Sequence, residues 1–297
     1  MKHNYIAVDW GSTNLRAWRV QDGVCTDHLQ SELGVTRLAG ATPHAVFQRL
    51  LSPWLHQHAM PVVMAGMVGS NAGWIEAPYL PCPVSLDELA GQMLPVTEVF
   101  PVKAWIVPGL CVNRHENHNV MRGEETQLLG AYREQPAPYY VLPGTHSKWA
   151  QLDGARVLDF RTVMTGELHH LLLTQSLLGT GLPSQRAAPE WFHRGLQSGL
   201  TDRNILRALF ETRGARVLGA LPPTAVGDWL SGLLIGNEVG GMLAQWAIPA
   251  GASINVIGNR NLGQRYLQAF ALAGIDATAV DGEAAFQNGI RSLIHEQ

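Results

Sequence analysis

The chain has 297 residues, 46% of them hydrophobic, so it can bury one large core or two medium ones. Its formal net charge is -3, with 21 basic and 24 acidic residues, which excludes nonspecific attraction to nucleic acid or to an anionic membrane. A small-molecule partner is therefore favoured. The three cysteines lack CxxC spacing, which argues against a disulfide framework or a thiolate zinc site. Without a signal-peptide core or a membrane-spanning apolar segment, the expected location is the cytoplasm.

The first elements in chain order are three predicted strands joined by tight turns. Tyr5 to Asp9 is an apolar strand, Leu15 to Gln21 a second, and Val24 to His28 a third. The intervening dipeptide Asp22-Gly23 favours a two-residue hairpin turn. A Rossmann unit would run from its glycine turn directly into a helix and would need GxGxxG, which is absent here. Dinucleotide binding of that kind is therefore disfavoured.

The rest of the first half is less regular. A helix is predicted from Pro43 to His58, and a strand from Val62 to Met64 that opens into the glycine-rich loop AGMVGSNAGW. Prolines punctuate the stretch from Pro78 onward, so irregular structure is expected there. A further helix is predicted over Glu125 to Tyr132. The Pro-rich segment REQPAPYY is typical of a connector, which gives two domains, residues 1–134 and 135–297.

The second half opens on a pattern similar to that of the first. YYVLPGTHSKWAQLDGARVLDF predicts strands over Tyr139 to Leu142, Lys148 to Leu152 and Ala155 to Phe160. Each half thus has a turn of glycine and hydroxyl residues, then a strand with a cation and a tryptophan, then the dipeptide DG. Either turn alone is better interpreted as a plain corner. Together, their N-H groups and hydroxyls, with Arg16 and Lys148, favour a polyphosphate site.

Several blocks of the sequence also match a known superfamily, in the expected order. IAVDWGSTNLRA resembles the first phosphate motif of the sugar-kinase, Hsp70 and actin superfamily, and VLPGTHSKWAQLDG resembles its second. RGEETQLLGA is similar to the segment that carries the catalytic carboxylate in carbohydrate kinases. INVIGNRNLGQRYLQAF resembles their adenosine motif, and DGEAAFQNGIRSL their closing helix. The resemblance covers almost the whole chain and is closest to the 2-dehydro-3-deoxygalactonokinase family.

This resemblance implies an α/β fold and an activity. The fold would contain two ribonuclease-H-like (actin-like ATPase) domains, each a mixed sheet opening with an antiparallel three-stranded meander, with a nucleotide cleft between them. The implied reaction uses ATP and Mg2+ to phosphorylate the terminal C6 hydroxyl of 2-dehydro-3-deoxy-D-galactonate. The alternatives are a kinase for the gluconate epimer or another small sugar acid, and a non-catalytic sugar-sensing ATP-binding protein. A homodimer is left open.

The resemblance also assigns roles in phosphoryl transfer. Asp9 would hold Mg2+ through its water shell, and Glu124 would be the general base for the attacking hydroxyl. The family more often has Asp where Glu124 stands, so Glu125 stays an alternative, although the negatively charged first turn of a helix is its more ordinary place. His146 could join the phosphate site or be a turn residue in solvent. The residues implied to line the phosphates are Gly11, Ser12, Thr13, Asn14, Arg16, Gly144, Thr145 and Lys148.

The sugar acid and the adenosine need partners of their own. A substrate carboxylate requires a cation, for which Arg122 and Arg161 are candidates and Arg114 a weaker one. The loop from Gly66 to Trp74 corresponds to the sugar-binding region, although plain packing is an alternative. Its implied substrate contacts are Ser70, Asn71 and Trp74. Gly258 and Asn259 are implied to lie beside the adenosine. The spaced glycines Gly232, Gly236 and Gly240 predict close packing of a helix, more as part of the core than under the nucleotide.

Overall fold

The computed structural model describes residues 4–202 and 204–296. Backbone contacts divide the chain into two compact units. The first comprises Met1–Pro136, Ala150–Phe160 and Gly282–Gln297, and the second comprises Ala137–Trp149 and Arg161–Asp281. In the described ranges, no helix is both long enough and apolar enough to cross a membrane.

The helices are distributed over both units. They are α1 (Pro43–Leu55), α2 (Glu124–Glu134), α3 (Thr165–Thr174), α4 (Pro189–Thr201), α5 (Ile205–Val217), α6 (Val226–Gln245), α7 (Arg260–Leu272) and α8 (Gly282–Glu296). Short 3-10 helices occupy Met67–Gly69, Leu86–Glu88, Ala90–Gln92, Thr97–Val99 and Pro223–Ala225.

Most strands of the first unit lie in two sheets. The strands are β1 (Tyr5–Trp10), β2 (Leu15–Gln21), β3 (Val24–Ser31), β4 (Val62–Ala65), β5 (Tyr79–Pro81), β6 (Val84–Ser85), β7 (Leu94–Pro95), β8 (Ala104–Ile106), β9 (Gly109–Arg114) and β10 (Asn117–Met121). The main sheet has the order β3-β2-β1-β4-β8-β7, with β1 antiparallel to β2 and parallel to β4, and a smaller sheet has the order β10-β9-β5. The apolar strand β1 is buried in the middle of the main sheet, whereas the polar strand β3 forms its exposed edge.

The core of the first unit lies against the main sheet. Trp10, Phe47, Met64 and Ile106 are among its buried side chains. Helix α1 begins cleanly because Thr42 caps it, with its hydroxyl accepting the amide of Ala45 at 3.2 Å. Helix α1 ends at Leu55, three residues before the predicted end.

The remaining strands lie wholly or partly in the second unit. They are β11 (Tyr139–Leu142), β12 (Ser147–Asp153), β13 (Arg156–Val163), β14 (Ile254–Gly258) and β15 (Ala277–Asp281). Strand β14 lies parallel to β11 on one side and to β15 on the other, and β12 and β13 follow in the sheet. Residues 150–160, which are the larger part of β12 and β13 and the turn between them, belong to the first unit, where β13 pairs with β6. The meander that the sequence predicted at the start of each half is therefore confirmed as a set of strands.

One predicted region differs from the structure. The stretch beyond Pro78 was expected to be irregular, but it contains β5 to β10. These strands are 2 to 6 residues long. Distant partners hold them: the side-chain amide of Asn117 in β10 donates to the Asp159 carboxylate at 2.7 Å and to the Phe160 carbonyl at 3.1 Å. Periodicity along such short segments is too weak to predict the strands.

Helices α4 and α6 of the second unit pack without intervening side chains. A Cβ atom added at Gly232 would lie 2.1 Å from the backbone carbonyl oxygen of Phe192, and one at Gly236 would lie 2.5 Å from that of Leu196. For Gly240 the corresponding distance, to the Leu200 oxygen, is 3.0 Å. The close core packing predicted from these spaced glycines is confirmed.

Two glycine substitutions in α6 should therefore have opposite effects on stability. Gly232→Ala forces a methyl group into the Phe192 backbone, and we expect it to lower the free energy of unfolding by about 1–3 kcal/mol. Gly241→Ala, on the exposed side of the same helix with no atom within 4 Å of the new Cβ, should raise it by up to about 1 kcal/mol. Urea unfolding of both variants tests this, and equal effects would contradict the packing.

Candidate active site

Backbone hydrogen bonds from the segment after β3 fix the turn between β1 and β2. The amide of Gly11 donates to the carbonyl of Asn14 at 2.9 Å. The amides of Val35 and Thr36 donate to the carbonyls of Gly11 and Ser12 at 3.0 and 2.9 Å. The side chains of residues 12–14 are exposed at the tip. The turn is thus fixed in shape before any ligand arrives, with its hydroxyl and amide groups accessible.

Asp9 and Arg16 lie at the base of this turn as an ion pair. Their side chains are partly exposed, and Nη2 of Arg16 lies 2.5 Å from Oδ2 of Asp9. Both line a cavity of about 270 Å³ together with Gly11, Thr13, Asn14 and Gln30. A single, partly exposed carboxylate at the wall of an open cavity suits Mg2+, which keeps much of its water and takes its other ligands from phosphate oxygens. The residues present therefore fit the metal that the sequence predicted at Asp9.

A second cavity, of about 170 Å³, adjoins Asp9 in the same unit. Its lining residues are Asp9, Gly11, Gly66, Met67, Arg122, Gly123, Glu124, Gln127 and Phe286. Two glycines with positive φ shape it, Gly66 at 95° and Gly123 at 103°. A Cβ atom on Gly66 would lie 2.9 Å from the Trp10 carbonyl oxygen, and one on Gly123 would lie 3.1 Å from the Gly66 Cα atom. Only glycine allows these loops to meet above Asp9.

Glu124 enters this cavity from the first turn of α2. One of its carboxylate oxygens accepts a hydrogen bond from the backbone amide of Arg122 at 3.0 Å, which fixes the position of the carboxylate. Gln127 lies one turn further along the helix and lines the same cavity. The structure therefore brings the proposed base, Glu124, and the proposed metal ligand, Asp9, to the wall of one cavity.

Arg122 is the third charged residue of this cavity, and it is largely buried, with 8% of its surface exposed. Its Nη2 atom donates to the Ala77 carbonyl at 2.8 Å, and its guanidinium group lies 4.2 Å from the centre of the Tyr79 ring. Among the described residues, its buried Nη1 atom has no hydrogen-bond partner. A Cβ atom on Gly69 would lie 2.9 Å from Nη1, so that glycine makes room for the cation. A buried guanidinium with an unused donor suits an anionic ligand.

Glu125 has a different environment from its neighbour Glu124. Its side chain is fully buried, and its carboxyl group accepts the Gly123 amide at 2.7 Å and the Thr126 hydroxyl at 3.0 Å. Burial, followed by the nearby charge of Glu124, raises the pKa of Glu125 from 4.5 to about 7. These contacts indicate a structural role for Glu125 in the first turn of α2. This is the more ordinary of the two roles considered from the sequence.

The raised pKa of Glu125 predicts how stability depends on pH. The folded protein keeps this proton up to about pH 7, whereas the unfolded chain releases it near 4.5. The free energy of unfolding should therefore fall as the pH rises from 4.5 to 7, by roughly 3 kcal/mol from this group. Glu125→Gln should remove that part of the fall, and urea unfolding at pH 5 and pH 8 measures it. Glu190→Gln, at an exposed ion pair with Arg194, is the control. A variant with the wild-type slope would contradict the assignment.

In the second unit, the turn between β11 and β12 contains the second predicted phosphate loop. Thr145 and His146 are exposed at its tip, and a Cβ atom on Gly144 would meet nothing within 4 Å. Nε2 of His146 lies 2.5 Å from a carboxylate oxygen of Glu167. Lys148 is buried, and its ammonium group donates to the Thr162 hydroxyl at 3.1 Å. Gly144 and Thr145 are thus open to a ligand, while Lys148 lies beneath the loop.

The adenosine residues predicted in the second unit line a separate cavity of about 190 Å³. It lies where β14 ends and α7 begins, and Gly258 and Asn259 are both part of its wall. The side-chain oxygen of Asn259 accepts the Leu262 amide at 2.9 Å and so caps α7. The remaining lining residues are Val256, Arg260, Gly263, Gln264, Ala279, Val280 and Asp281. The predicted strand, turn and helix around Gly258 are confirmed.

The predicted sugar contacts of the loop from Gly66 to Trp74 do not line the cavity of Glu124. The Ser70 hydroxyl donates to the Met67 carbonyl at 2.8 Å, and the Trp74 indole donates to Glu98 at 2.9 Å. Trp74 also packs against Trp10 and Phe47, while Asn71 is exposed. In this structure, Trp74 therefore contributes mainly to packing.

Two other candidate arginines also lie outside that cavity. Arg114 donates to the Leu158 carbonyl at 2.8 Å and lies 3.9 Å from Asp159. Arg161 belongs to the second unit.

Sequence reasoning missed two residues that line the cavity of Glu124, Gln127 and Phe286. Within the predicted sugar-binding loop it named Ser70, Asn71 and Trp74, whereas Gly66 and Met67 are the residues of that loop that line this cavity. The spacing along the sequence could have indicated Gln127, because it follows Glu124 by three residues and residues three apart share a face of a helix. For Phe286, on α8, no local signal exists, because its approach depends on how α8 packs against α2. A Cβ atom on Gly130 of α2 would lie 1.8 Å from the Ala285 carbonyl oxygen.

The mixed sheets and the two glycine turns have the fold of the sugar-kinase and actin-like ATPase class. The activator of the 2-hydroxyisocaproyl-CoA dehydratase from Clostridium difficile, solved with bound ADPNP, shares this fold at 11% identity. The TM-score is 0.51, over 97% of this chain and 92% of that one. Within the class, this chain belongs to the 2-keto-3-deoxy-galactonokinase family, whose model matches residues 9–293. The protein is therefore a kinase.

Two relatives are similar over nearly their full length. The 2-dehydro-3-deoxygalactonokinase of Escherichia coli (strain K12) is 52% identical over 295 residues, which are 99% of each chain. The crystal structure of a candidate 2-dehydro-3-deoxygalactonokinase from Sinorhizobium meliloti has a TM-score of 0.90 at 31% identity, covering 97% of each chain. The family resemblance expected from the sequence motifs is confirmed.

Proposed function

We infer that this protein transfers the γ-phosphoryl group of ATP to the C6 hydroxyl of 2-dehydro-3-deoxy-D-galactonate, in the catabolism of galactonate. The observation that carries this inference is the 52% identity with the Escherichia coli enzyme over 99% of both chains. The cavity of the first unit supports it, because a carboxylate and a buried cation line the same wall. A hydroxyl acceptor and an anionic substrate need those two groups.

In the proposed reaction, Glu124 accepts the proton of the C6 hydroxyl as that oxygen attacks the γ-phosphorus. Phosphoryl transfer passes through a loose transition state, so orientation of the two oxygens matters more than strong activation of the nucleophile. Glu124 is proposed rather than Glu125, because the buried Glu125 carboxyl already accepts Gly123 and Thr126. Arg122 is proposed to hold the substrate carboxylate, because its guanidinium group is the cation that lines the cavity of Glu124.

We propose that residues 11–14 and Arg16 hold ATP phosphates, as do Gly144 and Thr145, and that Gly258 and Asn259 lie beside the adenosine. The accessible donors at each turn support the phosphate roles, and the cavity at the start of α7 supports the adenosine role. Asp9 is proposed to hold Mg2+ through water. When bound, that ion neutralises charge on the phosphate oxygens. Lys148, Ser70, Asn71, Trp74 and Arg161 remain proposals from the sequence.

Some organisational features stay proposals as well. The two domains, residues 1–134 and 135–297, stay a proposal from the sequence. The chain first changes unit between Pro136 and Ala137, close to the proposed boundary, but Ala150–Phe160 and Gly282–Gln297 return to the first unit. A cytoplasmic location is proposed from the sequence. The homodimer that the sequence left open is proposed on a surface of α5, where the apolar side chains Leu206 and Phe210 are exposed. The mass in solution, compared with 32.4 kDa for one chain, checks this.

The function is tested by ADP formation from ATP and Mg2+ with 2-dehydro-3-deoxy-D-galactonate and, separately, with its gluconate epimer. We expect the galactonate epimer to have the higher kcat/KM and the product to be the 6-phosphate, identified by mass spectrometry and NMR. A higher kcat/KM with the gluconate epimer would replace the substrate assignment. No ADP formation with either acid would overturn the proposed kinase reaction.

A further inference from the structure

A buried carboxyl group lies beneath the second phosphate loop, in a place that the proposed reaction does not use. Glu238 lies on α6 and is 5% exposed, within the apolar core formed by residues such as Ile235 and Val239. Burial raises the pKa of its carboxyl group, in spite of the hydrogen bonds that it accepts. A carboxyl group in such a core lowers stability unless it has partners, so its position requires an explanation.

The partners of Glu238 come from three other elements. The Trp149 indole of β12 donates to Oε1 at 2.7 Å. On the other side of the carboxyl group, Oε2 accepts the Tyr266 hydroxyl of α7 at 2.7 Å and the hydroxyl of Thr165, the first residue of α3. Ser147 extends the network, since its hydroxyl lies 2.9 Å from that of Tyr266. One carboxyl group therefore joins β12, α3, α6 and α7.

Strand β12 directly continues the loop of residues 144–147, and helix α3 contacts it. Ser147 is the residue after the exposed tip at Thr145 and His146, and unlike them it is fully buried. Helix α3 contacts the tip from its other side, since the Glu167 amide donates to the Thr145 carbonyl at 2.9 Å. A Cβ atom on Gly166 would lie 2.4 Å from the Gly144 carbonyl oxygen, so backbone meets backbone there. The exit of the loop and the helix that supports it are thus tied to the same carboxyl group.

We propose that Glu238 is a positioning residue for ATP: through Thr165, Ser147 and Tyr266 it holds the loop of residues 144–147 in the shape that binds the phosphates. This inference rests on the proposed function, because it assigns that loop to ATP. The network leaves Thr145 and His146 exposed and fixes the buried end of the loop at Ser147. The loop therefore loses little conformational freedom when the phosphates bind.

The test removes one hydroxyl of the network and compares it with an equivalent change elsewhere. Thr165→Val deletes the donor to Glu238 at nearly constant volume. Thr212→Val is the matched control, because Thr212 of α5 is buried in the same unit. Its hydroxyl accepts a hydrogen bond from the Trp229 indole at 2.9 Å. Thr165→Ser retains the hydroxyl and should rescue any specific effect. Tyr266→Phe provides a second variant if Thr165→Val does not fold.

We expect Thr165→Val and Tyr266→Phe to weaken ATP binding about fivefold or more, the effect of one lost hydrogen bond. The KM for the sugar acid at saturating ATP should stay unchanged. Thr212→Val should lose stability without weakening ATP binding, and Thr165→Ser should bind ATP as the wild type does. Equal ATP affinity in Thr165→Val, Tyr266→Phe and Thr212→Val would overturn the proposal.

Calorimetry with ATP and Mg2+ measures this affinity without turnover. A failure of the proposed function is therefore distinguishable: wild-type protein that binds ATP but phosphorylates no sugar acid would refute the reaction, whereas the binding comparison would still test the role of Glu238.

Discussion

Glu124→Gln should lower kcat by about two to four orders of magnitude, the usual contribution of a general base. The amide has the shape of the carboxylate and can still accept the Arg122 backbone amide, but it cannot take the proton of the acceptor hydroxyl. We expect the affinity for ATP to stay close to that of the wild type, because the base acts on the sugar hydroxyl. A coupled ADP assay gives kcat, and calorimetry gives the ATP affinity.

Two comparisons make the Glu124 result specific. Glu190→Gln removes the same charge at an exposed ion pair and should keep wild-type kcat. Glu125→Gln separates the two carboxyl groups of the turn, because a base at Glu125 would make that variant the inactive one. Wild-type turnover in Glu124→Gln, with loss of turnover in Glu125→Gln, would reverse the assignment.

Arg122→Met should raise the KM for the sugar acid by roughly 30-fold or more, since losing one partner of a buried charge pair costs about 2–5 kcal/mol. The methionine keeps the apolar contact with Tyr79 but removes the unused Nη1 donor. The KM for ATP should change little. Steady-state kinetics with each substrate varied in turn measures both constants. Arg122→Lys keeps the charge without the guanidinium fork, so its KM for the sugar acid should lie between those of the wild type and Arg122→Met.

A substrate analogue identifies what Arg122 recognises. The wild type should discriminate strongly against the carboxamide of the sugar acid, whereas Arg122→Met should treat acid and carboxamide alike. Arg133→Met, at an exposed ion pair with Asp87, is the control for loss of a surface cation. If Arg114→Met or Arg161→Met abolishes the discrimination and Arg122→Met does not, the carboxylate belongs to that other arginine.

Local patterns were sufficient to predict the strands beside both glycine turns. The apolar run and the DG dipeptide predicted β2 with its observed bounds, Leu15–Gln21, and β11 was likewise predicted over Tyr139–Leu142. The motif RGEETQ placed Glu124 and Arg122 in one turn, and the structure adds that Asp9 shares their cavity. These features lie within short segments, so a single sequence contains most of the information that specifies them.

The features that the sequence did not predict depend on contacts between distant segments. The hairpin of β9 and β10 is held by Asn117 with residues more than forty positions away. Helix α5 has little apolar periodicity, and Leu206 and Phe210 on it are exposed, so it lacks the usual signal of an amphipathic helix. A glutamate such as Glu238 is usually exposed. Its hydrogen-bond network could not be predicted locally, because the partners come from β12, α3 and α7.

The turn of residues 11–14 has one further property, which concerns its polarity. The carbonyl oxygens of Gly11, Ser12 and Asn14 already accept hydrogen bonds from the protein. With these three backbone acceptors occupied, the balance at the tip shifts toward donors, the backbone amides of residues 12–14 and the hydroxyl groups of Ser12 and Thr13. Such a surface solvates anions better than cations without carrying a formal charge at the tip. The turn can thus select a ligand by the sign of its charge, even while Arg16 is neutralised by Asp9.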